Sequence, residues 1–200
     1  MTIVVVAEKP SVARDIAQVV GARTRAPGWL HGNGHIVTWA IGHLVGLAQP
    51  HQISPAWKAW RAELLPMLPK KWPLTILEST EEQFHTVKSL MMDREVEYVV
   101  CATDAGREGE LIFRLIYEAA GCRKPVRRLW ISSLTPGAIK AGLLAMKDGS
   151  AYDSLAAAAR GRVQADWLVG LNLSRTYTIA QGEMLSVGRV QTPTLAMLVE

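Results

Sequence analysis

Acidic residues follow two apolar runs of this 200-residue sequence, at the points where two predicted strands end. Glu8 follows the first run, Asp104 follows the second, and Glu108 and Glu110 come within the next six residues. Ligands of open parallel sheets bind at the carboxyl ends of the strands. Grouped carboxylates repel one another, and a cation is their natural compensation. The pattern therefore predicts a metal site, and Mg²⁺ suits a site of carboxylate oxygens and water.

The segment Asp104–Glu110 also has a purely structural interpretation. Acidic residues in the first turn of a helix are stabilised by the helix dipole without any ligand, and the segment taken alone favours that explanation. Glu8, at the corresponding end of the other strand, favours a metal site instead. Arg107 in the same turn would neutralise a phosphate or pair with one of the acids. Gly106 and Gly109 are expected to let the backbone turn tightly from strand into helix.

Alternating strands and helices are predicted to position these acids. The runs Ile3–Ala7 and Tyr98–Ala102 are apolar throughout, which is typical of strands buried on both faces of a parallel sheet. Glycines separate short apolar runs between Trp29 and Leu47, which indicates a hairpin or meander. Further strands are predicted over residues 74–77 and 126–131, and helices over residues 12–20, 81–92, 106–120 and 136–146. This order predicts an α/β fold with a Rossmann-like, mostly parallel sheet and flanking helices.

Two segments depart from this alternation. Residues 48–73 are rich in proline and tryptophan and are predicted to form an irregular surface insertion without evident chemistry. From about residue 151 the pattern is helical, so we place a boundary near residue 150, between an α/β domain (1–150) and the start of a mainly helical domain (151–200). The last predicted helix runs to Glu200 without a breaker or capping residue, and we expect the chain to continue in a larger protein.

The helix predicted from Tyr152 to Ala180 carries charged residues beside an apolar stripe. At the helical period this stripe comprises Leu155, Ala158, Ala165, Val169 and Leu173. Arg162 and Asp166 lie four residues apart and within mutual reach, either as a structural ion pair or as part of a polar groove. Arg162 suits bidentate contact with a DNA phosphate. Arg160 and Arg175 fall on another side, where exposure to solvent is expected.

The segment from Ser186 to Gln191 combines side chains suited to nucleic-acid contact. Ser186, Arg189 and Gln191 can all bind phosphate oxygens or base edges. Gly188 permits the close approach of a strand. In the alternative interpretation, Ser186 caps the next helix and Arg189 is an ordinary surface residue.

Composition adds weaker constraints. The net charge of +4 and the pI of about 9.2 favour anionic partners only mildly. Cys101 and Cys122, the only cysteines, are expected to be reduced, and their spacing predicts no zinc site. No apolar run is long enough to predict a membrane span. These features lead us to expect a cytoplasmic, nucleoid-associated protein without a membrane partner.

Several spaced motifs resemble those of the type IA DNA topoisomerases, in particular the topoisomerase III branch. They are residues 7–11 (AEKPS), 32–39, 42–44, 102–110 (ATDAGREGE), 165–172 and 185–193 (LSVGRVQTP), in collinear order. The resemblance runs from residue 3 to residue 200. It implies a Toprim domain followed by the beginning of a helical DNA-binding domain.

The resemblance also implies roles for individual residues. Glu8, Asp104 and Glu108 would hold or approach Mg²⁺, whereas Lys9 and Arg107 would face the scissile phosphate. Lys9 is the candidate proton donor, with Glu8 as the alternative, although simple charge balance explains a lysine at this position equally well. The common family pattern is Asp-x-Asp-x-Glu, and this chain has Gly106 at the second aspartate. We therefore expect one Mg²⁺ held mainly by Asp104 and Glu108.

Enzymes of this family cut one DNA strand by attack of a tyrosine on a phosphodiester, pass another strand through the gap and reseal it without ATP. By the resemblance, Arg162, Ser186, Arg189 and Gln191 would contact single-stranded DNA on its way to the acidic site. None of the four tyrosines of this sequence has the expected neighbours, so the nucleophile is expected in the rest of the chain, beyond Glu200. The 200 residues alone are expected to form no covalent DNA adduct.

Two other functions use the same acidic site. A Toprim nuclease or primase would show metal-dependent cleavage or synthesis by this chain alone, without a tyrosine. A non-catalytic Toprim module that recruits DNA or a repair partner would keep its effect after loss of the acids. The motifs that follow residue 160 argue against both, because neither function needs them.

Overall fold

The computed structural model describes residues 2–199, which group into two compact units. The first unit contains the residues up to Gly46 and Leu74–Ala159, and the second contains Leu47–Pro73 and the residues from Arg160 onward. The sequence places the boundary near residue 150 and residues 48–73 within the first domain, whereas the contacts group that segment with the second unit.

The strands lie mainly in the first unit. They are β1 (Thr2–Ala7), β2 (Thr24–Ala26), β3 (Trp29–Gly32), β4 (His35–Trp39), β5 (Val45–Leu47), β6 (Leu74–Ile76), β7 (Val96–Ala102), β8 (Val126–Arg128) and β9 (Lys147–Asp148). The helices are α1 (Pro10–Val20), α2 (Pro50–Ile53), α3 (Glu81–Met92), α4 (Arg107–Ala120), α5 (Pro136–Leu144), α6 (Asp153–Gln181) and α7 (Gln191–Val199). Within residues 2–199, no helix is long and apolar enough to span a membrane.

Seven strands form one sheet in the order β2-β3-β4-β1-β7-β8-β9. The central strands β4, β1, β7 and β8 run parallel, and antiparallel strands extend the sheet at both edges. Val4, Val5 and Val6 of β1 are completely buried, as expected of a central strand covered on both faces. The predicted α/β fold with a mostly parallel central sheet is confirmed.

Helices cover both faces of this sheet. Val5 and Ala7 pack with apolar residues of α1 and with Ile139 of α5. Side chains alternate along a strand, so Val4 and Val6 point to the opposite face, where α3 contacts β1 and β7 and packs on α4. The helix prediction for residues 81–92 matches α3 at both ends.

Two strand predictions differ from the structure. The strand predicted at residues 74–77 is β6, which pairs with β5 in a separate two-stranded sheet and does not join the central sheet. The strand predicted at residues 126–131 ends at Arg128. The side chain of Arg128 points into the interior and forms hydrogen bonds with backbone carbonyls, and the apolar pattern did not indicate this role.

In the second unit, α6 buries a different side from the one that the sequence predicts. Trp167 and Arg175 are buried, whereas Leu173 of the predicted apolar stripe is 40% exposed. The indole of Trp167 donates to the carbonyl of Ala48 (3.0 Å) and packs edge-on against Trp72, with ring centroids 5.4 Å apart. Of the predicted stripe, Leu155, Ala165 and Val169 are half-buried, whereas Ala158 and Leu173 are exposed, so the prediction holds only in part. Packing of Trp167 onto residues 47–73 determines which side of α6 is most deeply buried.

Candidate metal and phosphate site

The ends of β1 and β7 bring Glu8 and Asp104 together. Ala7 pairs with Ala102 in the parallel ladder, so both acids follow at the same edge of the sheet. The Glu8 carboxylate accepts a hydrogen bond from the Asp104 backbone amide (Oε2 to N, 3.1 Å), and its side chain is only 12% exposed. Glu8 therefore fixes the backbone from which the Asp104 carboxylate projects.

Lys9 forms the cationic part of this cluster. Its ammonium group donates to Asp104 (Nζ to Oδ2, 3.2 Å) and lies 4.0 Å from Glu8 Oε1. The hydrogen bond with Asp104, helped by the charges of both carboxylates, raises the pKa of Lys9 above its ordinary value. Lys9 is thus a positive charge that stands half-exposed beside two carboxylates, where it can also meet an incoming phosphate.

Glu108 lies on the first turn of α4 and is paired with a histidine that the sequence prediction did not include among the site residues. Its carboxylate is 2.6 Å from the ring of His43 (Oε1 to Nε2), which lies in the loop between β4 and β5. The Glu108 side chain is 70% exposed. Arg107, next to it, is also exposed. The sequence offered only the short motif Gly42-His43-Leu44 as a signal for His43, and its spacing gave no link to Glu108.

A buried ion pair supports residues 104–110, the acidic turn that connects β7 to α4. Arg128 is 1% exposed and donates to the carboxylate of Glu110 (Nε to Oε2, 3.0 Å). Its other nitrogens donate to the carbonyls of Thr103 (2.9 Å) and Asp104 (2.8 Å). Arg114 binds the second oxygen of Glu110 (2.8 Å). Glu110 therefore faces the interior and anchors the turn, and Arg128 is a residue that sequence reasoning missed.

The two glycines of the turn have different roles. A Cβ atom on Gly109 would lie 2.2 Å from the Asp104 carbonyl oxygen, so only glycine allows this close approach. Gly106 has an extended backbone (φ 176°), and a Cβ atom there would meet no atom within 4 Å. The prediction that the turn requires glycine holds for Gly109 and is wrong for Gly106. The Cβ atom of the aspartate that the family pattern places at position 106 would therefore meet no steric obstacle.

The donor set fits a loosely held ion rather than a closed metal cage. Within residues 2–199, no three acidic, histidine or cysteine side chains are grouped closely enough to enclose a metal ion. Asp104 and Glu108 nevertheless offer two exposed carboxylates four residues apart. Mg²⁺ is commonly bound through one or two carboxylates, with waters and substrate phosphate completing its shell. One carboxylate oxygen of Glu8 accepts a hydrogen bond from the backbone amide of Asp104. Glu8 therefore supports the site mainly by positioning Asp104, and less as a metal ligand of its own.

The second unit holds the residues predicted to contact DNA. Arg189 donates to Asp166 (Nε to Oδ1, 2.7 Å), and Arg162 lies 3.8 Å from the other oxygen of the same carboxylate. The hydrogen bond from Arg189 lowers the pKa of Asp166. Ser186 and Gln191 are exposed to solvent. Asp166 thus brings Arg162 and Arg189 together at one exposed carboxylate.

The loop that carries Ser186 is held in place by two hydroxyl groups of α6. Ser174 bonds both backbone groups of Val187 (Oγ to O, 3.1 Å; N to Oγ, 2.9 Å). Thr178, one turn further along α6, bonds both backbone groups of Leu185 (3.2 and 3.0 Å). Ser186 lies between these two anchored residues, and its side chain is therefore presented from a fixed backbone.

Comparisons with known proteins identify the family to which this chain is similar. The family model described as "Toprim domain" matches residues 3–134, and the one described as "DNA topoisomerase" matches residues 150–200. "DNA topoisomerase 3" of Shouchella clausii is 54% identical over 196 residues, which are 98% of this chain and 27% of that protein. "DNA topoisomerase 3" of Staphylococcus epidermidis is 48% identical over 198 residues, 99% of this chain and 28% of that protein.

A solved structure shares the fold. The full-length topoisomerase I of Thermotoga maritima superposes with a TM-score of 0.58 at 21% identity, over 86% of this chain and 25% of that chain. This chain spans about a quarter of the length of the relatives that it matches. Toprim domains and type IA topoisomerases are generally metal-dependent, in keeping with the acidic turn. The chain belongs to the Toprim family, in the form found in the type IA enzymes named DNA topoisomerase 3.

Proposed function

We propose that this chain forms the metal- and phosphate-binding part of a type IA DNA topoisomerase of the topoisomerase III branch. One observation carries the proposal: Glu8 binds the backbone of Asp104 while Lys9 binds its carboxylate, at the carboxyl edge of two parallel central strands. This arrangement puts anionic ligands for a metal and a cation for a phosphate within one small region. An enzyme of this kind would act on DNA in the cytoplasm, in association with the nucleoid.

Asp104 and Glu108 are the proposed ligands of one Mg²⁺, with Glu8 supporting them. When bound, Mg²⁺ would neutralise negative charge on the reacting phosphate. Asp104 contacts Lys9 and Glu108 contacts His43 (3.2 and 2.6 Å), and these contacts would have to loosen for the two carboxylates to hold an ion. Both contacts are solvent-exposed, and an exposed ion pair such as Lys9–Asp104 is weak, so its rearrangement would cost little free energy.

Lys9 and Arg107 are the proposed phosphate contacts. In the cleavage step a tyrosine oxygen forms a bond to phosphorus, the bond from phosphorus to the 3′ oxygen breaks, and that oxygen takes up a proton. We assign the proton donor to Lys9, with Glu8 as the alternative. The attacking tyrosine would be supplied by a part of the enzyme outside these 200 residues.

The DNA strand would reach this site past Arg162, Ser186, Arg189 and Gln191. Arg189 and Arg162 share the Asp166 carboxylate, which keeps their guanidinium groups together and oriented. Guanidinium groups bind phosphate in the same bidentate manner as they bind carboxylate. Single-stranded DNA is the proposed ligand, because strand cleavage and passage act on one strand at a time.

The test uses a chimera in which this chain replaces the corresponding 196 residues of the S. clausii protein, to which it is 54% identical. The chimera should relax negatively supercoiled plasmid in the presence of Mg²⁺. Asp104→Asn should reduce the rate by about 100-fold or more, because the loss of a metal ligand removes several kcal/mol of transition-state stabilisation. Asp148→Asn is the matched control, since Asp148 is an exposed acid at the far strand of the sheet.

Full relaxation by the Asp104→Asn chimera would contradict the proposal that Asp104 is a metal ligand needed for the reaction. If the 200-residue chain alone showed metal-dependent hydrolysis or synthesis, and Asp104→Asn abolished it, the protein would instead be a nuclease or a primase. Neither reaction needs a tyrosine from another segment.

A further inference from the structure

The segment 47–73, which showed no evident chemistry in the sequence, has a basic and aromatic surface. It carries four cations against a single acid, Glu63. The four cations, all exposed, are Lys58, Arg61, Lys70 and Lys71. Such an imbalance within 27 residues gives this surface a local positive field that attracts anionic ligands.

Part of this segment forms an open groove. The groove has a volume of about 650 Å³ and is lined by residues between Pro55 and Leu64. Its walls are small or apolar side chains, with Lys58 and Arg61 as the cations and Glu63 as the acid. Two short 3₁₀ turns, Pro55–Lys58 and Ala62–Leu64, form the walls.

Trp60 lies in sequence between the lining residues Ala59 and Arg61, beside the groove and not in its wall, and offers an exposed aromatic surface. Its side chain is 42% exposed, which is unusual for a residue of this size. The guanidinium group of Arg175 lies 5.0 Å from the centre of the Trp60 ring. The ring is therefore supported by a cation on one side while much of its surface still faces solvent.

Arg175 is itself buried and fixed by a hydrogen bond, but one of its donors has no partner within residues 2–199. It is 7% exposed and donates to the carbonyl of Trp57 (2.6 Å). Its Nε atom is buried and has no hydrogen-bond partner among the residues that the structure describes. A buried donor without a partner costs free energy. Arg175 thus fixes the turn at Trp57 and supports Trp60, although part of its own hydrogen-bonding capacity is unused.

We propose that this groove binds single-stranded nucleic acid, with Lys58 and Arg61 on backbone phosphates and Trp60 stacked on a base. Cationic grooves with exposed aromatic side chains bind single strands irrespective of sequence. A duplex would offer phosphates but no unstacked base for Trp60. An acidic peptide would use the cations alone. This inference rests on the proposed function, whose ligand is also single-stranded DNA, and adds a contact that lies apart in sequence from the acidic turn and from Arg162 and Arg189.

The test measures binding of a fluorescein-labelled dT12 oligonucleotide to the 200-residue chain by anisotropy, in EDTA and at several salt concentrations. Every protein carries Asp104→Ala, which together with EDTA excludes binding through a metal ion. Trp60→Ala should weaken binding about tenfold, because stacking on one base is worth about 1–3 kcal/mol. Trp60→Phe should retain most of the affinity. The double variant Lys58→Gln/Arg61→Gln should lower the slope of log K against log salt by about 1.4, since each phosphate contact on a single strand contributes about 0.7.

The matched control is Arg123→Gln/Lys140→Gln, which removes two exposed cations of the first unit and should leave the affinity nearly unchanged. Circular dichroism verifies that each variant is folded. Wild-type affinity and salt slope in both groove variants would overturn the proposal. Equal competition by poly-glutamate, with no effect of Trp60→Ala, would overturn it in favour of an acidic protein partner. The assay involves no metal and no strand cleavage, so its outcome is independent of the plasmid-relaxation test.

Discussion

Replacement of Arg128 by methionine should destabilise the first unit more than any exposed substitution in it. Arg128 is 1% exposed, and its guanidinium group binds Glu110 and the carbonyls of Thr103 and Asp104. Methionine has a similar length and flexibility, so it fills much of the space. The substitution therefore removes the charge and the hydrogen bonds while it largely preserves packing.

The expected loss is about 3–5 kcal/mol of unfolding free energy, the usual result of removing one partner from a buried ion pair. The lower end applies if Arg114, whose Nε is 2.8 Å from Glu110, compensates the remaining carboxylate. The carbonyls of Thr103 and Asp104 would lose their buried donor, and each unsatisfied group costs about 1–3 kcal/mol. These costs overlap because the groups share one side chain. Glu110→Leu combined with Arg128→Met should cost less than the sum of the two single changes.

Hydrogen exchange measured by mass spectrometry in increasing urea is the suitable assay. Peptides from β7 and α4 report the first unit alone, whatever the second unit does. Arg128→Met should reduce their protection, with Arg127→Met as the control, because Arg127 is the exposed neighbour on the same strand. A loss below about 1 kcal/mol in Arg128→Met would refute the view that this ion pair holds the acidic turn.

Two further predictions concern β7 and the turn that follows it. Gly109→Ala should cost about 1–3 kcal/mol and weaken Mg²⁺ binding, because its Cβ would lie 2.2 Å from the Asp104 carbonyl, whereas Gly106→Ala should change stability by less than about 1 kcal/mol. Urea unfolding and Mg²⁺ titration of both variants check this, and equal effects at the two positions would contradict it. Burial raises the pKa of the Cys101 thiol to about 11 from an ordinary value of 9.0, so the unfolded chain releases this proton first as the pH rises. Folded stability should therefore fall by about 2–3 kcal/mol between pH 9 and 11, and Cys101→Ala should lose this dependence in urea unfolding measured by circular dichroism.

The arrangement of the central sheet was predictable because its signals are local. Strands β1 and β7 contain the apolar runs Ile3–Ala7 and Tyr98–Ala102, and an acid that marks the carboxyl edge follows each run. Parallel strands with their ends at one edge leave few alternatives for the relative position of Glu8 and Asp104. The sequence therefore predicted that these two residues meet, and their backbone hydrogen bond follows from that register.

The supporting residues were not predictable, since their roles depend on contacts between distant segments. Arg128 looks like any arginine of a basic run, and only its burial against Glu110 distinguishes it. Arg175 was expected on an exposed side of its helix and is instead buried against Trp57 and Trp60. Periodicity describes one helix at a time, and it carries no information on a partner segment that is more than a hundred residues away.

Glycine has different roles at positions 106 and 109, and the difference affects which residues can bind a metal ion. Position 109 requires glycine, because the backbone carbonyl of Asp104 lies where a Cβ atom would be. Gly106 meets no such constraint, so the absence of the aspartate found in the common family pattern is a chemical difference and not a conformational one. With Gly106 in place of that aspartate, the proposed Mg²⁺ site would have Asp104 and Glu108 as its two carboxylate ligands. The ion should then depend more strongly on oxygens of the bound phosphate, which couples metal binding to the presence of the DNA strand.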